Sequence, residues 1–381
     1  MSEPISGPVI RGALTAAVLL TLVAPATATA APTPTLALPA PTGPYGVGTT
    51  ALHLEDATRP DPWVAEQRTR QLMVTLWYPT RTRHGGTAPY MTTQEAALLL
   101  EEQGAKGVPP EALSGTRTNA VLNAPVAGHG LPLVVLSPGF SLPRSSLTAL
   151  AEDLASRGYV VAGIDHTHET ATTFPDGHTE TCTVCKTKPD AAFGEKSTRT
   201  RAADVSFVLD RLTGPRPAWK DARVIDRSRI GMAGHSVGGA ATTWTMLEDR
   251  RIDAGVNMDG TFWAPIPARG LSRPFLLVGE DKNGPDGGDP TWAREWRRMT
   301  GWKRWITVDR ATHGTYTDHT LLMEQLGGDI DRGITGARAL EITRRYVGAF
   351  FDLHLRGRSR PLLDGPSKRH PEVRFWDTKK S

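Results

Sequence analysis

From residue 71 to residue 308 the chain repeats one arrangement: a short apolar run, a stretch of helical periodicity, then another apolar run. Residues 131–136 and 158–164 are continuous apolar runs, the pattern of strands covered on both faces. Runs at 229–233, 254–258, 274–278 and 305–308 continue the series. Residues 71–78 alternate instead, with Leu72, Val74 and Leu76 on one face, which predicts a half-buried strand near an edge. Between the runs, residues 145–157 place Leu147, Leu150, Ala151 and Leu154 on one helical face and stop at Gly158. Residues 200–212 carry Ala202, Val205, Leu209 and Leu212, and 338–355 carry Ile342, Tyr346, Val347, Phe350 and Leu353. Strands alternating with helices predict an α/β fold, a mostly parallel central sheet with helices on both faces.

The ends and the charge bound the rest. Residues 1–30 read as a signal peptide: Arg11 gives a basic start, 13–24 is apolar, and Ala28-Thr29-Ala30 is a small-x-small cleavage pattern. That apolar stretch is too short to anchor in a bilayer, so the expectation is a secreted protein cleaved near Ala30. Residues 31–44, rich in Pro, Ala and Thr, read as an extended tether, and 45–381 as one large domain. The 44 Lys and Arg against 40 Asp and Glu leave a net charge of +4, scattered along the chain. This argues against a nucleic-acid partner and leaves a weak attraction to anionic lipid surfaces, enough for transient contact. The only cysteines, Cys182 and Cys185, form a C-x-x-C in a polar run; export makes a disulfide their expected fate, with metal ligation or free thiols as the alternatives.

A serine hydroxyl attacks an ester only when a base takes its proton and donors hold the oxyanion that forms. Gly234-His235-Ser236-Val237-Gly238 meets the steric part of that need, because a serine on a sharp strand-to-helix turn needs glycine two residues to each side. The run 229–233 leads in, and Gly238, Gly239, Ala240 and Ala241 give the small helix face that packs behind. The pattern asks for an acid and then a histidine downstream. His313, just past the run 305–308, is the best base; His319 falls in a helical stretch that points it elsewhere. Asp259 directly follows 254–258 and Asp281 follows 274–278, and spacing alone does not choose between them as the acid.

Several further motifs then fall into one register. Gly43-Pro44-Tyr45-Gly46-Val47-Gly48, Leu136-Ser137-Pro138-Gly139-Phe140, Asp153-Leu154-Ala155-Ser156-Arg157-Gly158-Tyr159, the Ser236 pentapeptide, Asn257-Met258-Asp259-Gly260, Ala311-Thr312-His313-Gly314 and Gly328-Asp329-Ile330-Asp331 follow in order. Together they resemble the platelet-activating-factor acetylhydrolases of the plasma and intracellular type II class and their bacterial relatives. The resemblance runs from Gly43 to about Leu355. It implies the α/β-hydrolase fold, a triad of Ser236, Asp259 and His313, and an oxyanion hole from the backbone N–H groups of Phe140 and Val237. It also implies short acyl esters as substrates, including the sn-2 acetyl of ether phospholipids, and no cofactor. One departure stands out. Such relatives often carry His before the loop glycine, where this chain has Pro138, which lacks a donor and stiffens the loop.

Other readings compete with this one. A cutinase or polyester hydrolase would use the same triad, and a lipid-binding protein could have lost turnover. Asp165, His166, His168, Glu169, Asp176, His178, Cys182 and Cys185 could be grouped as a zinc site and a metal-dependent hydrolase, although this C-x-x-C fits no recognised zinc spacing. The plainer expectation is no metal, with His166 or His168 lining the mouth of the ester site. Trp263, Trp292, Trp296, Trp302 and Trp305 read as core, with Phe262-Trp263 the best candidate for an apolar landing surface. Two long segments, 79–130 (with one helix at 93–103) and 166–196, lack periodicity and are expected at the carboxyl ends of the strands.

Overall fold

The computed structural model describes residues 35–187, 189–328 and 333–376. The stretch read as a signal peptide, the first residues of the tether and Asp329-Ile330-Asp331 lie outside the described residues.

Gly46–Asp56 (β1) and Arg70–Thr80 (β2) form an antiparallel ribbon, and Ala120–Leu122 (β3) pairs parallel to the outer side of β1. Leu131–Ser137 (β4) and Val160–Asp165 (β5) follow as a parallel pair. Thr172–Thr173 (β6) and Thr179–Glu180 (β7) make a small separate hairpin. Ile225–His235 (β8), Ile252–Met258 (β9), Phe275–Gly279 (β10) and Lys303–Val308 (β11) are parallel neighbours, and Val373–Phe375 (β12) closes the far edge antiparallel to β11. Among the described residues the main sheet runs β12-β11-β10-β9-β8-β4-β5-β2-β1-β3. This is the mostly parallel sheet that the apolar runs predict.

Alternation along the strands divides the core into two layers. Val134 and Leu136 of β4 join one cluster with Leu150, Leu154, Val347 and Phe350, from the helices Thr148–Ser156 and Gly336–Arg356. Leu133 and Val135 face the other way, onto Val205, Leu209 and Met246 of the helices Ala191–Thr213 and Val237–Glu248. Helices therefore cover both faces, and each buried aliphatic side chain contributes roughly 1.5–3 kcal/mol of transfer free energy.

Three expectations need correction. β2 lies third from the β3 edge but is not half-buried: Met73 and Trp77 on its second face are buried with Leu72, Val74 and Leu76. The described part of the tether is docked, not loose. Leu36 and Leu38 are buried against Leu99 and Leu340, Leu38 N–H donates to Arg117 O, and Thr42 N–H donates to Asp153 Oδ1. Phe262 is 1 % exposed in the core, so the aromatic pair beyond Asp259 is no apolar landing surface; Trp292, Trp296 and Trp305 are core as expected. Among the described residues no helix is long and apolar enough to cross a membrane.

Candidate active site

The parallel strands deliver their reactive side chains at one end of the sheet. Ser236 follows β8 and caps the helix Val237–Glu248 with φ 54° and ψ −123°, a backbone region that costs a non-glycine residue about 1–3 kcal/mol. The flanking glycines make that turn possible. A Cβ on Gly234 would lie 2.1 Å from the Gly238 backbone, and one on Gly238 would lie 2.0 Å from Ser137 O. Asp259 follows β9, also at positive φ, and its turn is tied by the Asn257 side chain, which accepts from Gly260 N–H at 2.7 Å and donates to Gly260 O at 2.8 Å. His313 follows β11 and opens a short 3-10 turn, His313–Tyr316, closed by a reciprocal cap between Thr312 and Thr315.

These three side chains meet. Ser236 Oγ is 2.9 Å from His313 Nε2, and His313 Nδ1 is 2.6 Å from Asp259 Oδ2. The other Asp259 oxygen accepts from Glu280 N–H at 2.8 Å and Asn283 Nδ2 at 2.7 Å. Burial works to raise the Asp259 pKa, but hydrogen bonds from His313, Glu280 and Asn283 outweigh it and leave the carboxyl below its usual range. An ionised Asp259 can only accept, so Nδ1 of His313 carries the proton and Nε2 presents its lone pair to Ser236. The same carboxylate raises the His313 pKa, against desolvation.

Two backbone donors belong to residues that line the same space. Neither Phe140 N–H, in the loop after β4, nor Val237 N–H, at the first helical position, has a hydrogen-bond partner among the described residues. Both residues line a cavity of about 340 Å³ with Ser236, His313, Thr261, Trp263, Pro189, Phe193 and Gly194. Its walls are largely aromatic, with Phe140 and Phe193 edge to face at 5.1 Å.

Other candidates stand apart. Asp281 is paired with Arg374 at 3.6 Å and does not reach His313. His166 and His168 are each 1 % exposed and do not line the mouth of the cavity. His166 joins Ser137 Oγ to Asp204, and His168 joins Gln67 to Thr183. Cys182 and Cys185 are joined as a disulfide, and among the described residues no group of His, Cys, Asp and Glu is arranged to hold a metal ion. Of the two long segments, 166–196 reaches the site through Pro189, Phe193 and Gly194, whereas the residues of 79–130 line a different cavity, beside Trp77 and Tyr90. Sequence reasoning missed Asn283, Phe193 and Gly194, for which no local motif speaks. It also missed Arg201 and Asp204, buried on the helix Ala191–Thr213, of which the apolar face alone was read.

A doubly covered, mostly parallel sheet with its reactive groups raised at the strand ends is that of an α/β hydrolase, here a carboxylic ester hydrolase. The model of the family "Platelet-activating factor acetylhydrolase, isoform II" matches residues 30–200, which take in the β4 loop and stop short of Ser236. A probable 1-alkyl-2-acetylglycerophosphocholine esterase of Arthroderma benhamiae is 30% identical over 89% of this chain and 94% of its own length. The ferulic acid esterase of Streptomyces cinnamoneus superposes with a TM-score of 0.81 at 45% identity, over 90% of this chain and 99% of that one. Cutinase est1 of Thermobifida alba is 28% identical over 51% of this chain and 53% of its own. The chain belongs to the platelet-activating factor acetylhydrolase isoform II family.

Proposed function

We propose that the chain is a secreted serine esterase in which Ser236 is the nucleophile, His313 the general base and acid, and Asp259 the residue that orients His313. One observation carries this reading: the unbroken line Ser236 Oγ–His313 Nε2, His313 Nδ1–Asp259 Oδ2, at 2.9 and 2.6 Å, beside two unengaged backbone N–H groups. Ser236 Oγ attacks the ester carbonyl carbon while His313 Nε2 takes its proton. The carbonyl oxygen becomes an oxyanion, held by the N–H groups of Phe140 and Val237. His313 returns the proton to the leaving alcohol, and a water then hydrolyses the acyl-enzyme by the same route. Each oxyanion donor contributes roughly 3–4 kcal/mol to the transition state.

The substrates of this reading are short acyl esters, with phospholipid-type acetyl esters first, as the family suggests. The Cys182–Cys185 disulfide supports an oxidising, extracellular setting, in keeping with residues 1–30 as a signal peptide and 45–381 as the catalytic domain. A second reading, esters of aromatic or polyester acids, is favoured by the aromatic walls Phe140, Phe193 and Trp263 and by the named activity of the Streptomyces cinnamoneus neighbour. A fluorophosphonate probe should label the wild type and not Ser236→Ala; equal labelling would remove Ser236 from the chemistry. p-Nitrophenyl esters of rising chain length, run beside an acetyl-ether phospholipid, a hydroxycinnamate ester and a polyester film, then separate the substrate readings. A chelator arm tests the metal-dependent alternative, which requires loss of activity.

A further inference from the structure

Behind the loop that carries Phe140 lies a buried charged assembly that the triad does not use. Arg201, on the helix Ala191–Thr213, has a side chain only 1 % exposed. Its Nε donates to Glu169 Oε2 at 2.9 Å, and that oxygen also accepts from Ser197 Oγ at 2.6 Å. The guanidinium then turns its Nη atoms to the β4 loop. Nη1 donates to Pro138 O and lies 3.4 Å from Ser137 Oγ, and Nη2 lies 3.4 Å from Gly139 O. Glu169 grips the same loop by its backbone, since its carbonyl accepts from Ser141 N–H at 3.0 Å. Ser137 is fixed from the other side. Asp204, held ionised by Arg70, accepts a hydrogen bond from His166 Nδ1–H, so His166 Nε2 accepts from Ser137 Oγ.

The geometry of one peptide unit gives this assembly a consequence. In a planar trans peptide the C=O and the N–H point in opposite directions. Gly139 O faces the Arg201 guanidinium, so the N–H of Phe140, in the same peptide plane, points away from it, and Phe140 itself lines the cavity that holds Ser236. Within the loop Gly139 O also accepts from Leu142 N–H at 3.3 Å, so Arg201 and a loop turn share the hold on the plane, while Pro138 offers no N–H and Phe140 N–H has no partner among the described residues. A buried guanidinium with fixed forked donors is suited to the task, because reversing the peptide would leave its donors facing an N–H and unpaired. The geometry points to Arg201 as the positioning residue that aims the Phe140 N–H at the reacting carbonyl oxygen, with Glu169 holding Arg201 in place. This inference rests on the reading of Phe140 N–H as an oxyanion donor.

The test uses the full-length protein, Arg201→Lys, Arg201→Met and the near-isosteric Glu169→Gln. Steady-state kinetics on p-nitrophenyl acetate are set beside the affinity for a trifluoromethyl ketone, whose adduct with the serine places an oxyanion in the hole. One oxyanion donor is worth about 10²–10³-fold in kcat, so its misdirection in Arg201→Met should lower kcat by about 100-fold with KM within about 3-fold. Ketone affinity should fall in parallel, while the acid-limb midpoint of the pH–rate profile, set by His313 and Asp259, stays in place. Arg201→Lys, with one donor group in place of a fork, and Glu169→Gln should fall between Arg201→Met and wild type. If Arg201→Met does not fold, the Lys and Gln variants decide, and unchanged ketone affinity in both overturns the proposal. Failure of the underlying reading looks different: the wild type would bind the ketone no better than Ser236→Ala does.

Discussion

His235 Nε2 donates to the carbonyl oxygen of His313 at 2.7 Å, so the residue before the nucleophile holds the backbone of the base. The two rings lie 4.7 Å apart. Because a carbonyl only accepts, Nε2 carries the proton, and Nδ1 is left buried and unpaired, where a Cβ on Gly139 would come within 2.7 Å of it. His235 thus sits between the base and the oxyanion loop. Burial first, then repulsion from a charged His313, pushes its pKa down to about 3.

Stability should therefore fall on the acid side. Between the ordinary histidine value of 6.5 and about 3, unfolded His235 takes up a proton that the folded residue refuses, so acid favours unfolding. His313 has the opposite sign: its raised pKa gives stability that is fully present below 6.5 and is lost as pH rises through the folded value. Thermal melts of wild type and His235→Gln, from about pH 7 to about pH 4, should show a shallower fall in Tm for the variant. Parallel curves would remove His235 from the acid sensitivity.

The activity profile follows from the same pair of charges. His313 must be neutral to take the Ser236 proton, and Asp259 raises its pKa, so the acid limb of kcat/KM should have its midpoint above 6.5. Asp259→Asn should lower kcat by about 10⁴-fold, because an amide in its place favours the wrong imidazole tautomer. Asp281→Asn should leave kcat within about 2-fold, since it breaks only a surface pair with Arg374. Equal losses in the two variants would return the acid to the open choice that spacing leaves.

Most of the sheet was legible because its central strands are covered on both faces and therefore read as unbroken apolar runs. β1 was not: Thr49, Thr50, His53 and Glu55 interrupt it, and it is recognisable only by its pairing with β2. The three-residue strands β3 and β12 are too short for any periodicity. Ser236 and His313 could be read because each follows a strand within a turn motif, while the choice of Asp259 rested on the resemblance. Arg201 and Asp204 were passed over because charged residues on a helix ordinarily face water. Here they face inward, and their partners at Pro138 and Arg70 lie 63 and 134 residues away in sequence.

The disulfide bears on stability more than on turnover. It closes only the short loop from Cys182 to Cys185, so losing it should cost about 2 kcal/mol on the chain-entropy model. The cavity wall beyond it is held separately: Asp190 caps the next helix by accepting from Phe193 N–H at 2.8 Å, and the Phe193 ring packs against Trp63 at 5.4 Å. The double variant Cys182→Ala, Cys185→Ala should therefore unfold at lower denaturant concentration while keeping kcat within about 3-fold. A collapse of kcat with unchanged stability would mean that the disulfide shapes the site directly.

Selectivity among acyl groups should turn on the contact between Gly194 and Trp263. Gly194 lies in the first turn of the helix Ala191–Thr213, and a Cβ there would come within 2.3 Å of the Trp263 indole. Trp263 is half-buried and shares the cavity wall with Phe140 and Phe193, so an added methyl must either displace the indole or occupy space beside it. An indole pushed into the cavity, or a methyl left beside it, narrows the space without touching Ser236, His313 or the oxyanion donors. An acetyl group needs little of that space, whereas a hydroxycinnamoyl group needs most of it. One methylene in an apolar pocket discriminates by about 10–200-fold, so Gly194→Ala should lower the hydroxycinnamoyl-to-acetyl ratio of kcat/KM by about 10-fold or more. The acetyl ester itself should be turned over at close to the wild-type rate. A ratio that stays constant or rises would show that the acyl group does not lie against this wall, and the aromatic-ester reading would lose its structural support.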